Sequence, residues 1–167
     1  MADQKGKDQS SNIQPSFALG PWKYDVFLSC IGGDASQNFV DQLYLKLCQV
    51  RINTFKTDDV SAEVVMNAIE GSIIFIIVLS KNYASSRRCL NELLHILELK
   101  KNSKRLLLPI FYDIDPSDVR KQTGIFAEAF ERHRTCSQSE QTIQYWKTAL
   151  NKVGNLSGWD LRHAAEG

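Results

Sequence analysis

Ile73-Ile74-Phe75-Ile76-Ile77-Val78-Leu79 is apolar at every position and so has no edge to offer water. A run of this length reads as a central β-strand covered on both faces, the condition that a parallel sheet imposes. Working back toward the N-terminus, Val64, Val65, Ala68 and Ile69 mark a helix closed by Gly71. Before it lies a short strand, Ile52–Phe55, followed by Thr57-Asp58-Asp59, most simply a turn. Phe39, Leu43 and Leu47, with Val40, Tyr44 and Cys48, form a stripe at helical spacing, and Asp34 stands where a cap is expected. Ahead of that helix, Tyr24–Ser29 (YDVFLS) is a strand running into Gly32-Gly33.

Working forward, Ser85 or Ser86 caps a third helix, with Leu90, Leu93, Leu94 and Leu97 on its buried face. Arg105–Tyr112 is a fourth strand, and Pro116 is read as a stop for the segment beyond it. Phe126, Ala129, Phe130 and His133 predict another helix; Ile143, Trp146, Leu150 and Val153 predict the last. Ser157–Leu161 is a candidate fifth strand. Strands and helices that alternate with short connections imply a parallel sheet with helices on both faces. Such sheets bind ligands beyond the carboxyl ends of their strands. That directs attention to the loops Cys30–Asp34, Lys56–Val60, Ser80–Ser86 and Tyr112–Asp118.

Composition narrows the class. The 167 residues suit one domain, with 43% hydrophobic and 23% charged residues, a globular mix. A net charge of +1 gives no global attraction to nucleic acid or anionic lipid. No apolar run reaches ~18 residues, so no membrane span is expected, and the N-terminus lacks a signal-peptide core. Cys30, Cys48, Cys89 and Cys136 are scattered, without a CxxC pair, which argues against a disulfide framework or a zinc site and for free buried thiols in a reducing compartment. The expected location is the cytoplasm, or cytoplasm and nucleus. Residues 1–21 are too polar to bury surface and read as a disordered tail; the folded domain is expected over 22–161, with a C-terminal tail at 162–167.

The fold alone does not choose a function. A phosphate-binding loop would need GxxxxGK[ST] after the first strand, but the sequence there is SCIGGDAS. GxGxxG is absent, as is the Ser/Thr-rich loop that flavin would require. The third strand ends in Leu79-Ser80-Lys81 rather than the Asp of a phosphoacceptor. Cys89 and His95 could form a nucleophile–base pair on paper, although Cys89 lies on or beside the apolar helix face, where a packed thiol is expected.

Several blocks then occur in order: Tyr24-Asp25-Val26-Phe27-Leu28-Ser29; Phe39-Val40-Asp41-Gln42-Leu43-Tyr44; Asn82-Tyr83-Ala84-Ser85-Ser86 continuing to Cys89-Leu90-Asn91-Glu92-Leu93; Pro109-Ile110-Phe111-Tyr112; Asp115 to Gly124 (DPSDVRKQTG); and Trp146, Ala149-Leu150 and Leu156-Ser157-Gly158-Trp159. Together they resemble the Toll/interleukin-1 receptor (TIR) domains of plant immune receptors, over Lys23 to Leu161. The resemblance implies a flavodoxin-like α/β fold with a five-stranded parallel sheet, self-association through helix surfaces, and in many members cleavage of the nicotinamide–ribose bond of NAD. The family's catalytic glutamate falls on Glu92 and its site serine on Ser86. The ligand pocket falls on Ile31, Gly32, Asp58, Arg88 and Cys89. NAD would be a substrate, with no tightly bound cofactor and no metal. From the residues alone, Glu92 reads as a solvated charge in the first half of a helix, and Ser86 as a plain N-cap. Arg120 and Lys121 read as surface charges, in a stretch that in the family often contributes to a partner interface.

Three positions depart from the family. Its first loop usually reads Phe-Arg-Gly-Glu-Asp-Thr-Arg, whereas here it is Cys30-Ile31-Gly32-Gly33-Asp34-Ala35-Ser36. Ile31 can neither donate a hydrogen bond nor carry charge. The loop from Asp58 to the second helix is shorter than the family's, and Arg88 replaces a tryptophan. The function expected is therefore defence signalling through association with like or unlike TIR domains, with weakened or lost NAD cleavage. The alternatives are an active NAD glycohydrolase yielding nicotinamide and ADP-ribose products, and a decoy that occupies partner TIR surfaces.

Overall fold

The computed structural model describes residues 22–57 and 59–162. The expected tail at 1–21, most of that at 162–167, and Asp58 lie outside the described residues. Five parallel strands form one sheet in the order β2-β1-β3-β4-β5. They are β1 (Tyr24–Ser29), β2 (Thr54–Lys56), β3 (Ser72–Leu79), β4 (Leu106–Tyr112) and β5 (Trp159–Leu161). The helices are α1 (Gln37–Gln49), α2 (Ala62–Glu70), α3 (Arg87–Lys101), α4 (Pro116–Lys121), α5 (Ile125–Thr135) and α6 (Glu140–Gly154), with a 3₁₀ turn at Tyr83–Ser85.

The apolar run in β3 behaves as its composition demands. Phe75, Ile77 and Leu79 point into one core, while Ile76 and Val78 point into the other. Each fully buried side chain of this size is worth roughly 1.5–3 kcal/mol, so the strand anchors both layers. The larger core takes Val65, Ala68 and Ile69 from α2, Leu90, Leu93 and Ile96 from α3, and Phe126, Phe130, Trp146 and Leu150 from α5 and α6. The smaller core lies under α1, through Val40 with partly buried Phe39, Leu43, Tyr44 and Leu47. That face thins toward β4, where Leu106 is 55% exposed.

Several local expectations are corrected. Strand β2 starts at Thr54, because the Ile52 N–H is taken by the Leu47 carbonyl (2.9 Å) in the turn that leaves α1. Ser36 rather than Asp34 holds the N-cap position of α1. Asp34 instead accepts the Ser36 N–H (2.8 Å) and the Ser80 hydroxyl, tying the loop after β1 to the loop after β3. Pro116 opens α4 rather than stopping a segment: it occupies the first turn, where its missing N–H costs nothing, and Asp115 caps by accepting the Ser117 N–H at 2.9 Å. All four cysteines are free, but only Cys30 and Cys89 are buried; Cys48 and Cys136 are exposed. Ser86 is the cap of α3, its Oγ accepting the Cys89 N–H at 3.2 Å.

Helices α4 and α6 approach so closely that a Cβ on Gly154 would lie 2.7 Å from the Arg120 backbone nitrogen and Cα. Gly154→Ala is therefore expected to destabilise the fold by about 1–3 kcal/mol through overpacking. Intrinsic helix propensity would push the other way by up to about 1 kcal/mol. Chemical denaturation of the two proteins checks this; a more stable alanine variant would mean that α4 moves aside freely.

Candidate functional site

The carboxyl ends of β1 and β2 and the first turn of α3 enclose a cavity of about 350 Å³. Cys30 and Gly32 line it from the loop after β1, and Gln37 from the start of α1. Lys56, Thr57, Asp59 and Val60 contribute from β2 and its loop, and Arg88 from α3. Parallel pairing explains the convergence. Leu28 is in register with Lys56, so the residues just beyond both strands emerge side by side. The Thr57 hydroxyl secures this edge by donating to the Leu28 carbonyl (3.4 Å). Gly33, at φ +79°, makes the turn that aims its N–H at Gln37 Oε1 (2.9 Å).

Glu92 sits behind this cavity, not in solvent, which overturns its reading as a solvated helix charge. Its residue exposure is 0%. One carboxylate oxygen, Oε1, accepts from Arg88 Nη1 at 2.6 Å; the other, Oε2, accepts from the Ser29 hydroxyl at 3.1 Å. The Tyr83 hydroxyl lies 2.9 Å from Ser29 Oγ and 3.3 Å from the Cys89 carbonyl, so a buried polar chain runs from the 3₁₀ turn through β1 to α3. Burial raises the Glu92 pKa above the ordinary carboxylate value, and the Arg88 charge and the Ser29 and Arg88 hydrogen bonds pull it part of the way back. Burial is the largest single influence on Arg88 and works against its charged form, but the Glu92 charge and smaller contributions from Cys89, Cys30 and the Glu92 hydrogen bond together outweigh it, and its pKa rises. Arg88 also donates from Nη2 to the Cys30 carbonyl at 3.3 Å, joining α3 to the loop after β1.

Of the site positions expected from sequence, Gly32 and Arg88 line the cavity. Ile31 is partly buried and packs against the larger core. Cys89 is fully buried, its Sγ facing the Cys30 carbonyl at 3.6 Å. Burial pushes the Cys89 thiol up to about 12 and that of Cys30 to about 11, so both stay protonated near neutral pH. No Cys89–His95 pair forms: His95 Nε2 lies 3.4 Å from Glu70 Oε1, across α2 and α3. Ser86 serves as the helix cap. Sequence reasoning missed Ser29 and Gln37, and reached Lys56 and Thr57 only as part of the loop Lys56–Val60, which does line the cavity. Alternation along β1 was the available signal for Ser29, since it shares a face with Phe27, the face on which α3 packs. Lys56 is paired with Asp41 at 3.0 Å and lies over the Tyr44 ring, so its charge is already directed along the α1 side of the cavity.

Among the described residues, no group of three or more His, Cys, Asp or Glu is placed to hold a metal ion, and no helix is long and apolar enough to cross a membrane. The chain thus combines an α/β parallel sheet with a buried, hydrogen-bonded carboxylate behind a cavity at the carboxyl ends of β1 and β2. The TIR domain family model matches residues 23–166, and the chain belongs to that family. It is 46% identical over 144 residues to TMV resistance protein N of Nicotiana glutinosa, covering 82% of this chain and 13% of that protein. It is also 46% identical over 143 residues to disease resistance protein RPV1 of Vitis rotundifolia, covering 83% of this chain and 10% of that protein. The chain thus spans about a tenth of the length of these curated relatives. Among solved structures, the TIR domains of the activated Roq1 resistosome, which directly recognises the pathogen effector XopQ, superpose with a TM-score of 0.77 at 41% identity, over 86% of this chain and 91% of that one.

The burial pattern generates two expected outcomes. A thiol reagent applied to the native protein at neutral pH should label Cys48 and Cys136 quickly, and Cys30 and Cys89 only on unfolding, as counted by mass spectrometry. Rapid labelling of all four would contradict the packing around Cys89. The second concerns Glu92, whose folded pKa lies above its unfolded value, so the folded state holds its proton more tightly. Its contribution to stability is therefore lost as pH rises from the ordinary carboxylate value through the folded pKa. Glu92→Gln, which stays neutral, should gain on the wild type across that window and hold a constant difference above it. Urea midpoints over a pH series read this directly, and a difference independent of pH would mean that Glu92 titrates normally.

Proposed function

We propose that this chain is a defence-signalling module that acts by associating with other TIR domains, like or unlike itself. The observation that carries the reading is its likeness, across most of its length, to TIR domains that operate inside an activated resistosome. The relatives' names, which are those of plant disease-resistance proteins, point the same way. Four free thiols suit a reducing compartment, and we assign the chain to the cytoplasm, with the nucleus as a second site. The test is the mass of the purified protein across a concentration series, alone and mixed with a plant TIR domain, by analytical ultracentrifugation. Mass that rises with concentration or on mixing is expected; a monomer throughout, with no mixed species, would remove the reading.

A second reading is supported by one specific observation, the desolvated Glu92 carboxylate beside the cavity. A carboxylate in that position suits cleavage of NAD, stabilising the ribose as positive charge develops at C1′. The C1′–N bond breaks, its electron pair leaves with neutral nicotinamide, and water adds at C1′ and releases a proton. Consumption of NAD by concentrated protein, abolished by Glu92→Ala, is the expected result if this chemistry operates. Intact NAD in both folded proteins would mean that the wild-type chain does not cleave NAD unaided, and association would stand as the reading for it.

A further inference from the structure

We infer that Arg88 is a latch: its side chain stands between the cavity and Glu92, and Glu92 meets a ligand only when Arg88 swings away. The inference rests on the reading of Glu92 as the acting carboxylate, and it concerns which residue controls that group. Three observations carry it. Arg88 lines the cavity, whereas Glu92, at 0% exposure, does not. The spacing i, i+4 on α3 puts the two on one helix face, where Nη1 takes Oε1 at 2.6 Å. The remaining arm of the guanidinium, Nη2, reaches the Cys30 carbonyl at 3.3 Å, so the side chain spans the gap from α3 to the loop whose Gly32 forms the opposite wall.

The two partners are unequal in freedom. Glu92 is fixed from behind by Ser29, with the buried Tyr83 hydroxyl and the protonated thiols of Cys30 and Cys89 around it. The Arg88 side chain is 41% exposed and can rotate into water. Opening is therefore a movement of Arg88. It leaves a buried carboxylate without its cation, which is costly unless something replaces the charge. That condition selects a ligand class. An anionic group in the cavity would draw the guanidinium away, and a cationic group on the same molecule would take its place beside Glu92. A ligand with both charges separated along its length opens the latch; a purely anionic or neutral one does not.

The test compares wild type, Arg88→Ala, Arg88→Lys and the Arg88→Ala, Glu92→Ala double variant. Each is first checked by circular dichroism, then treated with a water-soluble carbodiimide and glycinamide, and coupling at Glu92 is mapped by mass spectrometry. Exposed Glu63 and Glu98 serve as internal standards. NAD consumption is measured in parallel. Severalfold greater coupling at Glu92 in Arg88→Ala, brought back toward wild type by Arg88→Lys and with the standards unchanged, is the expected result. Equal coupling in wild type and Arg88→Ala overturns the latch, whatever happens to NAD. If coupling rises and NAD is consumed in Arg88→Ala but not in the double variant, latch and glycohydrolase readings both stand. If coupling rises and NAD stays intact, the latch stands and the hydrolysis reading falls.

Discussion

Strand β3 has no face that can be left in water, and the remainder of the architecture depends on that. Covering both faces of a parallel strand requires helices on either side, and each crossover returns the chain to the same end of the sheet. Loops of different origin are thereby gathered at the carboxyl ends of β1, β2 and β3. The cavity follows from this constraint, because β2 ends at Lys56 beside Leu28 and the residues just beyond both strands emerge side by side and line it. The stability of β3 fixes the position of β1 through their ladder, from Tyr24–Ser72 to Ser29–Ile77. Ser29 is carried to its place beneath α3 by the same ladder.

The Glu92 site is held by opposed effects of similar kind. Burial works against a carboxylate, while Arg88 and Ser29 work for it. Pairs of this kind seldom add net stability, because removing two ions from water costs about as much as their attraction returns. A pair whose carboxylate is buried and whose cation is partly exposed at a cavity is better understood through what it prevents, namely free access to the carboxylate, than through its contribution to folding. The i, i+3 pair of Lys101 with Glu98, by contrast, is exposed and screened and has no such consequence.

The sheet and most helices were legible because burial acts on whole segments, and the periodicity of β3, α3 and α6 survives any local competition. Boundaries failed where one hydrogen bond decided them. Ile52 looks like a strand residue, yet its N–H belongs to the turn after α1. Asp34 looks like a cap, yet the distant Ser80 hydroxyl and Ser36 claim it. Pro116 looks like a stop because proline ends helices, whereas its place after Asp115 is that of a first helical residue. Glu92 is the instructive miss. Cys89, Glu92, Leu93 and Ile96 share one helical face, so the spacing alone places the glutamate inward. Its charge argues for solvent, and position wins. Its partner Ser29 is 63 residues away, and no local pattern announces a pairing at that distance.

The departures of this chain from other plant TIR domains also look different once the contacts are known. Ile31 removes a cation from the loop after β1, and its side chain packs toward the larger core instead of the cavity. Arg88 introduces a cation on the facing helix and reaches the backbone of that same loop. Beside Lys56 on the β2 side, the cavity thus has a cation on its α3 wall, and that cation is paired with Glu92. A cation on the loop could hold an anionic ligand and leave the carboxylate free. A cation four residues before the carboxylate, on the same helix, cannot do both at once. If Arg88 acts as the proposed latch, binding and exposure of Glu92 become a single event, and the ligand's own charges decide whether it happens.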